Sequence, residues 1–528
     1  IASMLVAVFI VPAAIARFGF GKMHSAQTNQ SEPPKASRIL SLVSQLVLSA
    51  KRRAAVIVLS LVSTIGLAAW LMPPAEYLPE GEEPKAFTSM VAPPGYNLSE
   101  MAKIAEELTT QLSARVNAEA TSFESGEQKI PPLKYYTLSV GVGSIWVMSE
   151  PVRSQDMEAM MSSLTALFEQ YPGMRAYSSR GSIISSNDGG TRAVALDISG
   201  PNQASLYRAA EAAYQAAEKV FAEPQLYSDP STLSLDQPLW QISPRWQRLV
   251  EQDFSGSEFG YAVSALSDGA YVDEFFLNDN KVDIFLFSLA GNQQSLSQLA
   301  LAPIVTPKGN VLPLQALADI SEQMDSDSLR RVDGRRTVTL YIIPPRAIAL
   351  ETAVAKVREE LVPILYQQGA VGKDVSLDIS GAADQLEATK AALSSNFLVA
   401  VLIIYLLLVA IFNHWGYPLF VLVTIPLGLA GGLVGLQALN YTGSLFAYLG
   451  GQGWHQPFDM ITMLGFLILL GTVVNNPILI VEQSRKNLQS GLFSVVDAVK
   501  SAVANRLRPI LMSTATTLFG LLPLVLFP

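Results

Sequence analysis

Residues 54–71 read AAVIVLSLVSTIGLAAWL, a stretch without a single charge, directly after Lys51-Arg52-Arg53. A helix needs roughly 20 such residues to cross a hydrocarbon core of about 30 Å. Residues 73–392 contain no second apolar segment of that length. Four then follow in close succession: Phe397–Phe412, Pro418–Leu439, Ile461–Val481 and Ser501–Phe527. This layout predicts a polytopic α-helical membrane protein with one large extramembrane domain hung between two adjacent spans.

Composition narrows the class. The chain has 528 residues, 50% hydrophobic and 15% charged. That average merges nearly charge-free spans with a middle region that reads as ordinary soluble protein. At ~100–200 residues per domain, the middle region makes two or three domains. A net charge of −9 disfavours nucleic acid as a partner, since a binder would carry a basic stripe. The absence of cysteine excludes disulfides, thiol catalysis and cysteine metal sites. His24, His414 and His455 are scattered, without zinc-ligand spacing. No GxxxxGK[ST] loop is present, so ATP hydrolysis is not expected. No catalytic triad or carboxylate pair stands out. The chain reads as a non-enzyme without cofactor or metal.

The flanks give orientation. Arg17, Lys22 and Lys51-Arg52-Arg53 adjoin the first spans, and Arg485, Lys486, Arg506 and Arg508 surround the connection between the last two. By the positive-inside rule these segments and Asn413–Tyr417 are cytoplasmic. Asn440–Asp459 and the large domain then lie on the far side. The chain opens inside the apolar stretch Ile1–Ala16, without initiator Met or signal-peptide flank, and stops at Pro528. It is therefore expected to be a piece of a longer protein, with 1–16 the end of a preceding membrane helix. Residues 17–53 form a cytoplasmic linker, polar over Met23–Arg38 and amphipathic over Ile39–Ala50, the latter lying on the inner surface.

Within the large domain, strand and helix patterns alternate. Strands are expected at Phe87–Ala92, Ser144–Met148, Arg192–Ile198, Thr337–Ile342 and Val375–Ile379. Helices are expected at Ser99–Val116 (with Ser99 as N-cap), Gln155–Gln170, Gln203–Phe221 and Ala347–Tyr366. Such units build α/β layers with helices on one sheet face. Leu196-Asp197-Ile198-Ser199-Gly200 recurs as Leu377-Asp378-Ile379-Ser380-Gly381. The repeat is either chance strand–turn chemistry or the two ends of one domain interrupted by an insertion at about 229–335, which is richer in strands.

Four motifs carry a family resemblance. Arg506-Leu507-Arg508-Pro509-Ile510-Leu511-Met512, Pro477-Ile478-Leu479-Ile480-Val481-Glu482, Leu78-Pro79 and Gly269-Ala270-Tyr271-Val272-Asp273-Glu274-Phe275 together resemble the resistance-nodulation-division efflux pumps. The resemblance covers the second half of a pump protomer, from the end of its sixth span to its eleventh. It implies a multi-pass protein of the bacterial inner membrane with a large periplasmic α/β porter region of ferredoxin-like βαβ units. Residues 84–190 would form one porter subdomain, 191–228 with 336–385 a second, split one, and 229–335 an inserted docking subdomain. Membrane helices would occupy 54–72, 393–413, 417–439, 459–483 and 501–527. It further implies a homotrimer in the lipid bilayer, working with a periplasmic adaptor protein and an outer-membrane channel to export amphiphilic small molecules by antiport.

Such pumps move protons, and ionisable or polar groups inside a helix bundle are costly unless used. Where the family carries a lysine on the tenth span, this chain has Asn475, followed by Asn476 and Pro477. Asparagine cannot alternate salt bridges with carboxylates but can hydrogen-bond a carboxylate or a water chain. The resemblance makes Asn475, Asn476, Ser513, Thr514 and Arg506 the proton-relay candidates. The plainer reading is helix-to-helix hydrogen bonding for the amides and hydroxyls, and a membrane anchor for Arg506. Asp459 and Glu482 flank the same span and read as interfacial. On the substrate side, family pumps use an aromatic-lined cleft, for which Phe123, Tyr135, Tyr136 and Trp146 are the candidates, against ordinary core or surface roles. Met157, Met160 and Met161 could be soft metal ligands, but with Leu164 they form an i, i+3, i+4, i+7 stripe that favours core packing. Two alternatives stay open: a related exporter of lipids or metal ions, and a non-transport membrane scaffold.

Overall fold

The computed structural model describes residues 49–78, 85–181, 192–233, 237–289, 295–325, 328–449 and 455–526. The expected helix end at 1–16, the polar linker and all but the last two residues of the amphipathic stretch lie outside them. The chain divides into an α/β unit, 73–394 with 443–464, and a membrane unit, 1–72 with 395–442 and 465–528.

The α/β unit begins with a four-stranded sheet of β1 (Ala86–Val91), β2 (Leu133–Val140), β3 (Ser144–Pro151) and β4 (Arg175–Arg180), in the order β2-β3-β1-β4 with every neighbour antiparallel. Side chains alternate in and out along β1, as the period of a strand requires. Helices Leu98–Ser113 and Met157–Phe168 cover one face, and Met90, Ile145, Val147, Met101, Leu108, Leu112, Leu164 and Phe168 fill the space between. Each such side chain contributes about 1.5–3 kcal/mol through its removal from water. Met157 and Met160 are fully buried in this core and Met161 packs against it, so the methionine stripe is packing. The first helix is capped by Asn97, which accepts from the Glu100 N–H at 2.9 Å. Ser99, the expected cap, instead donates its hydroxyl to Asn97 Oδ1 at 2.8 Å.

A second sheet has the same connectivity with a gap in it. β5 (Val194–Ser199), helix Gln203–Val220 and β6 (Gln225–Asp229) precede the gap. β7 (Gln237–Pro244), the hairpin β8 (Ala270–Leu277) and β9 (Asn280–Leu286), and β10 (Ala318–Asp325) lie within it. β11 (Arg335–Ile343), helices Leu350–Lys356 and Val362–Gln367 joined by the π-turn Val357–Leu361, and β12 (Ser376–Gly381) follow. The strand order is β6-β11-β5-β12. Inside the gap, β7 and β10 pair antiparallel from Gln237↔Asp325 to Pro244↔Ala318. A separate small core of Leu249, Phe254, Phe259, Leu299, Leu314 and Leu317 lies beyond them.

The two Leu-Asp-Ile-Ser-Gly copies are neighbours: β12 runs antiparallel to β5, with Asp378 opposite Asp197 and Ile379 opposite Leu196. Asp197, only 7% exposed, accepts hydrogen bonds from the Thr339 and Ser380 hydroxyls, the pairing a buried carboxylate requires. The glycines serve different needs. A Cβ on Gly200 would sit 2.7 Å from the Asp374 carbonyl oxygen, whereas Gly381 adopts φ +77°, open to residues without a Cβ.

Among the described residues, four helices are long and apolar enough to cross a bilayer: Ala54–Leu71, Ala382–Phe412, Tyr417–Tyr448 and Met460–Gln489. The second starts well before the expected Phe397, because Ala, Leu, Glu and Lys favour helix and no Gly or Pro stops it at the apolar boundary. The last expected span forms Val495–Leu526, with Asp497, Lys500, Arg506 and Arg508 in its first half. Leu408, Phe412, Val421, Ile425, Leu470 and Val474 pack together. The Arg485 guanidinium donates to the Phe412 carbonyl at 2.7 Å, so the turns after Phe412 and after Gln489 share one end of the unit. Gln437 reaches the Leu71 carbonyl at 3.3 Å at the other end.

Candidate functional site

The relay candidates sit at a break. Met460–Gln489 is interrupted at Val474, between Met460–Val473 and Asn475–Gln489. Pro477 explains it: the residue offers no N–H to the Val473 carbonyl and its ring crowds that oxygen. A backbone acceptor and two side-chain amides are thus gathered in an otherwise apolar span, where unsatisfied polar groups cost several kcal/mol. Asn475 is exposed and Asn476 half-buried, and neither amide is hydrogen-bonded by another described residue.

Arg506 is fixed from the neighbouring helix. Its Nη2 donates to Gln483 Oε1 at 3.0 Å, while its buried Nε has no partner among the described residues. Asn487 Nδ2 donates to the Ala498 carbonyl at 3.1 Å, so Asn475–Gln489 and Val495–Leu526 run antiparallel side by side. Seven residues back from Gln483 is Asn476, and seven forward from Arg506 is Ser513. At 1.5 Å per residue both lie about 10.5 Å along the hairpin from the Arg506–Gln483 link. By that rise Asn476 falls near the level of Ser513 and Asn475 near that of Thr514, and no direct hydrogen bond joins them among the described residues. Ser513 and Thr514 are exposed.

The aromatic candidates separate onto two faces. Tyr136 lies on the helix-covered face of the first sheet, where its hydroxyl shares a 2.7 Å hydrogen bond with Ser113 Oγ and its ring joins the core. Tyr135 and Trp146 occupy the opposite face. There Tyr135 stands across from Glu150 and Trp146 across from Ser139. Trp146 is 40% exposed, and its ring centroid lies 6.5 Å from that of Phe87. Lys134 bonds Glu150 at 2.8 Å, and this hydrogen bond, aided by the Tyr135 hydroxyl, holds the Glu150 carboxyl below its usual range. Burial, with the Glu150 hydrogen bond, pushes the Tyr135 phenol up. Phe123 is half-buried on the separate short helix Thr121–Glu124. On the same open face, Tyr177 of β4 stacks on Tyr227 of β6 at 4.7 Å, and Tyr227 on Tyr341 of β11 at 4.5 Å. Three rings thus tie the first sheet to the second.

The model of the AcrB/AcrD/AcrF family matches residues 1–527. The chain belongs to this family. Similar curated proteins include the multidrug resistance protein MdtC of Pectobacterium carotovorum, 24% identical over 50% of this chain and 24% of the relative. The toluene efflux pump membrane transporter TtgB of Pseudomonas putida is 21% identical over 55% of this chain and 26% of its own length. The swarming motility protein SwrC of Bacillus subtilis is 25% identical over 53% and 24%. The matched stretches span about a quarter of each of these relatives.

Membership places this chain among the resistance-nodulation-division membrane proteins. Sequence reading missed three parts of this AcrB/AcrD/AcrF-family structure. Gln483, which holds Arg506, lies one heptad from Asn476, and that spacing could have revealed it. Phe87 shares a face with Trp146, which strand alternation alone could have shown. The tyrosine stack joins three distant strands and leaves no local signal.

Proposed function

We propose that this chain is the permease portion of a proton-driven pump that exports amphiphilic drugs or detergents from the inner membrane and periplasm. The observation that carries the reading is the break at Val474. By helix rise it brings Asn475 and Asn476 near the level of Thr514 and Ser513 on an apolar hairpin linked by Arg506 and Gln483. Polar groups at that depth are retained where an ion path needs them. With asparagine in place of lysine, the amides orient a carboxylate or a water chain and do not themselves carry charge.

The large unit is then periplasmic. Both of its sheets follow the strand order of ferredoxin-like βαββαβ units, which supports porter subdomains at 84–190 and at 191–228 with 336–385. Phe87, Tyr135 and Trp146 offer amphiphiles an apolar surface with a few polar contacts, and Phe123 lies at its edge. The insertion at 229–335 is the docking part for an outer-membrane channel and a periplasmic adaptor. Homotrimer formation is supported by the β8–β9 hairpin, which exposes Phe275, Phe276, Phe285 and Leu286, more apolar surface than an isolated hairpin keeps in water.

The test is ion-gradient-driven efflux of a fluorescent amphiphile by the intact transporter in everted vesicles. Asn475→Leu and Asn476→Leu are each expected to lower efflux by at least tenfold at normal protein levels and melting temperature. Unchanged efflux would leave the amides only a packing role.

A further inference from the structure

A cavity of about 670 Å³ opens at one end of the second sheet, lined by Ser199, Gly200, Arg331, Arg335, Arg336, Lys373, Asp374 and Ser376, among others. We propose that it is a binding site for a ligand bearing two or more phosphate charges. A short hairpin places Arg331 directly opposite Arg336 and Val332 opposite Arg335. Its turn is made by Asp333 and Gly334, both at positive φ. Like charges facing each other across a strand pair destabilise it, a repulsion that a bound anion would relieve. Lys373 adds a fourth cation from the loop before β12. None of the four has an acidic partner among the described residues.

Their neighbours are different. Arg330, one residue earlier, bonds Asp229 and the Tyr341 hydroxyl, Arg346 pairs with Glu158 and Arg245 with Asp319. Among the described lining residues Asp374 is the only carboxylate, against four cations; Asp333 in the hairpin turn is a second acid nearby, and the chain total is −9. A general excess of basic residues therefore does not account for the cluster. Three guanidiniums offer planar forks suited to phosphate oxygens; Ser199 and Ser376 also line the cavity, with their hydroxyls bonded to Thr337 Oγ1 and the Ser199 carbonyl. The volume fits a headgroup-sized ligand. Gly200 lets the Asp374 backbone close the floor, since any Cβ there would meet it at 2.7 Å. The same chemistry is offered by a soluble polyphosphate and by the headgroup of a phosphorylated amphiphile.

The experiment is calorimetric titration of the full chain in detergent with inorganic pyrophosphate, at about 50 mM salt to limit screening. Saturable binding is expected, weakened about tenfold by Arg335→Ala or Arg336→Ala, the loss of one charged hydrogen bond. The R331A/R335A/R336A/K373A variant should bind nothing while unfolding cooperatively at no lower temperature. Asp374→Ala, which removes the one carboxylate of the lining, should tighten binding severalfold and keeps the test decisive if the fourfold variant fails to fold. Dihexanoyl phosphatidic acid binding more tightly than pyrophosphate would assign an amphiphile as the source, with dihexanoyl phosphatidylcholine as the control; equal or weaker binding would assign a soluble polyphosphate. No saturable heat with pyrophosphate, or binding unaffected by these substitutions, would overturn the proposal.

Discussion

Replacing Gly428 by alanine puts a methyl group where the structure has no room. An added Cβ would lie 2.5 Å from Val473 Cγ2 and 3.1 Å from Cγ1, about 1 Å inside ordinary contact. Val473 cannot swing aside, because a helical valine is held almost entirely in one rotamer. The two helices must therefore separate, and overpacking of this kind costs about 1–3 kcal/mol. Gly432, one turn further, meets Phe466 at a similar 2.5 Å, so the close approach extends along the pair. Small residues at such a crossing let backbones pack where lipid gives no hydrophobic drive. Val473→Ala removes both clashing carbons and should cost only about 1 kcal/mol by itself. The double variant should then be little worse than Val473→Ala, a favourable coupling of about 1–2 kcal/mol. Unfolding of the purified chain in detergent gives the four values of the cycle. Additivity to within about 0.5 kcal/mol would refute the packing argument.

Other expectations follow from the α/β unit. Tyr227→Leu breaks both stacked contacts and should cost about 1–3 kcal/mol, whereas Tyr177→Leu breaks one and should cost about half; equal losses in thermal unfolding would count against a three-ring stack. Gly200→Ala should destabilise more than Gly381→Ala, since the first meets backbone at 2.7 Å while the second costs about 1–2 kcal/mol of left-handed strain; the reverse order would sink the steric account. Glu150 has a folded pKa below its ordinary 4.5, so its stabilisation is present above that value and lost as pH falls through the folded one. Lys134→Met should therefore lower the melting temperature at pH 7, with a gap that narrows as pH falls below the ordinary 4.5. A gap constant from pH 7 to pH 3 would exclude the ion pair as its cause.

Much of the architecture was legible because it rests on local chemistry. Charge-free runs revealed the spans, and the Leu-Asp-Ile-Ser-Gly echo offered the two ends of an interrupted domain as one of two readings; that the copies pair side by side emerges only from the register of β5 and β12. What escaped depends on distant partners. β2 was not expected, since Lys134 and Tyr135–Tyr136 break a clean alternation, and only pairing with β3 sorts the tyrosines onto opposite faces. Ser99 looked like the cap because it precedes an acidic residue, but Asn97 has the extended backbone a cap needs. The helix break at Val474 was half visible in Pro477. Its alignment with Ser513 needed the Arg506–Gln483 link, which joins residues on different helices.

The pairing of β7 with β10 has a consequence for how this family diversifies. The inserted segment holds its own two ends together along eight paired positions, and its small core lies within its own sequence. A segment closed in this way is an exchangeable cartridge. It can be lengthened, shortened or replaced while Tyr227 and Tyr341 remain paired across the gap, leaving the sheet that receives it unchanged.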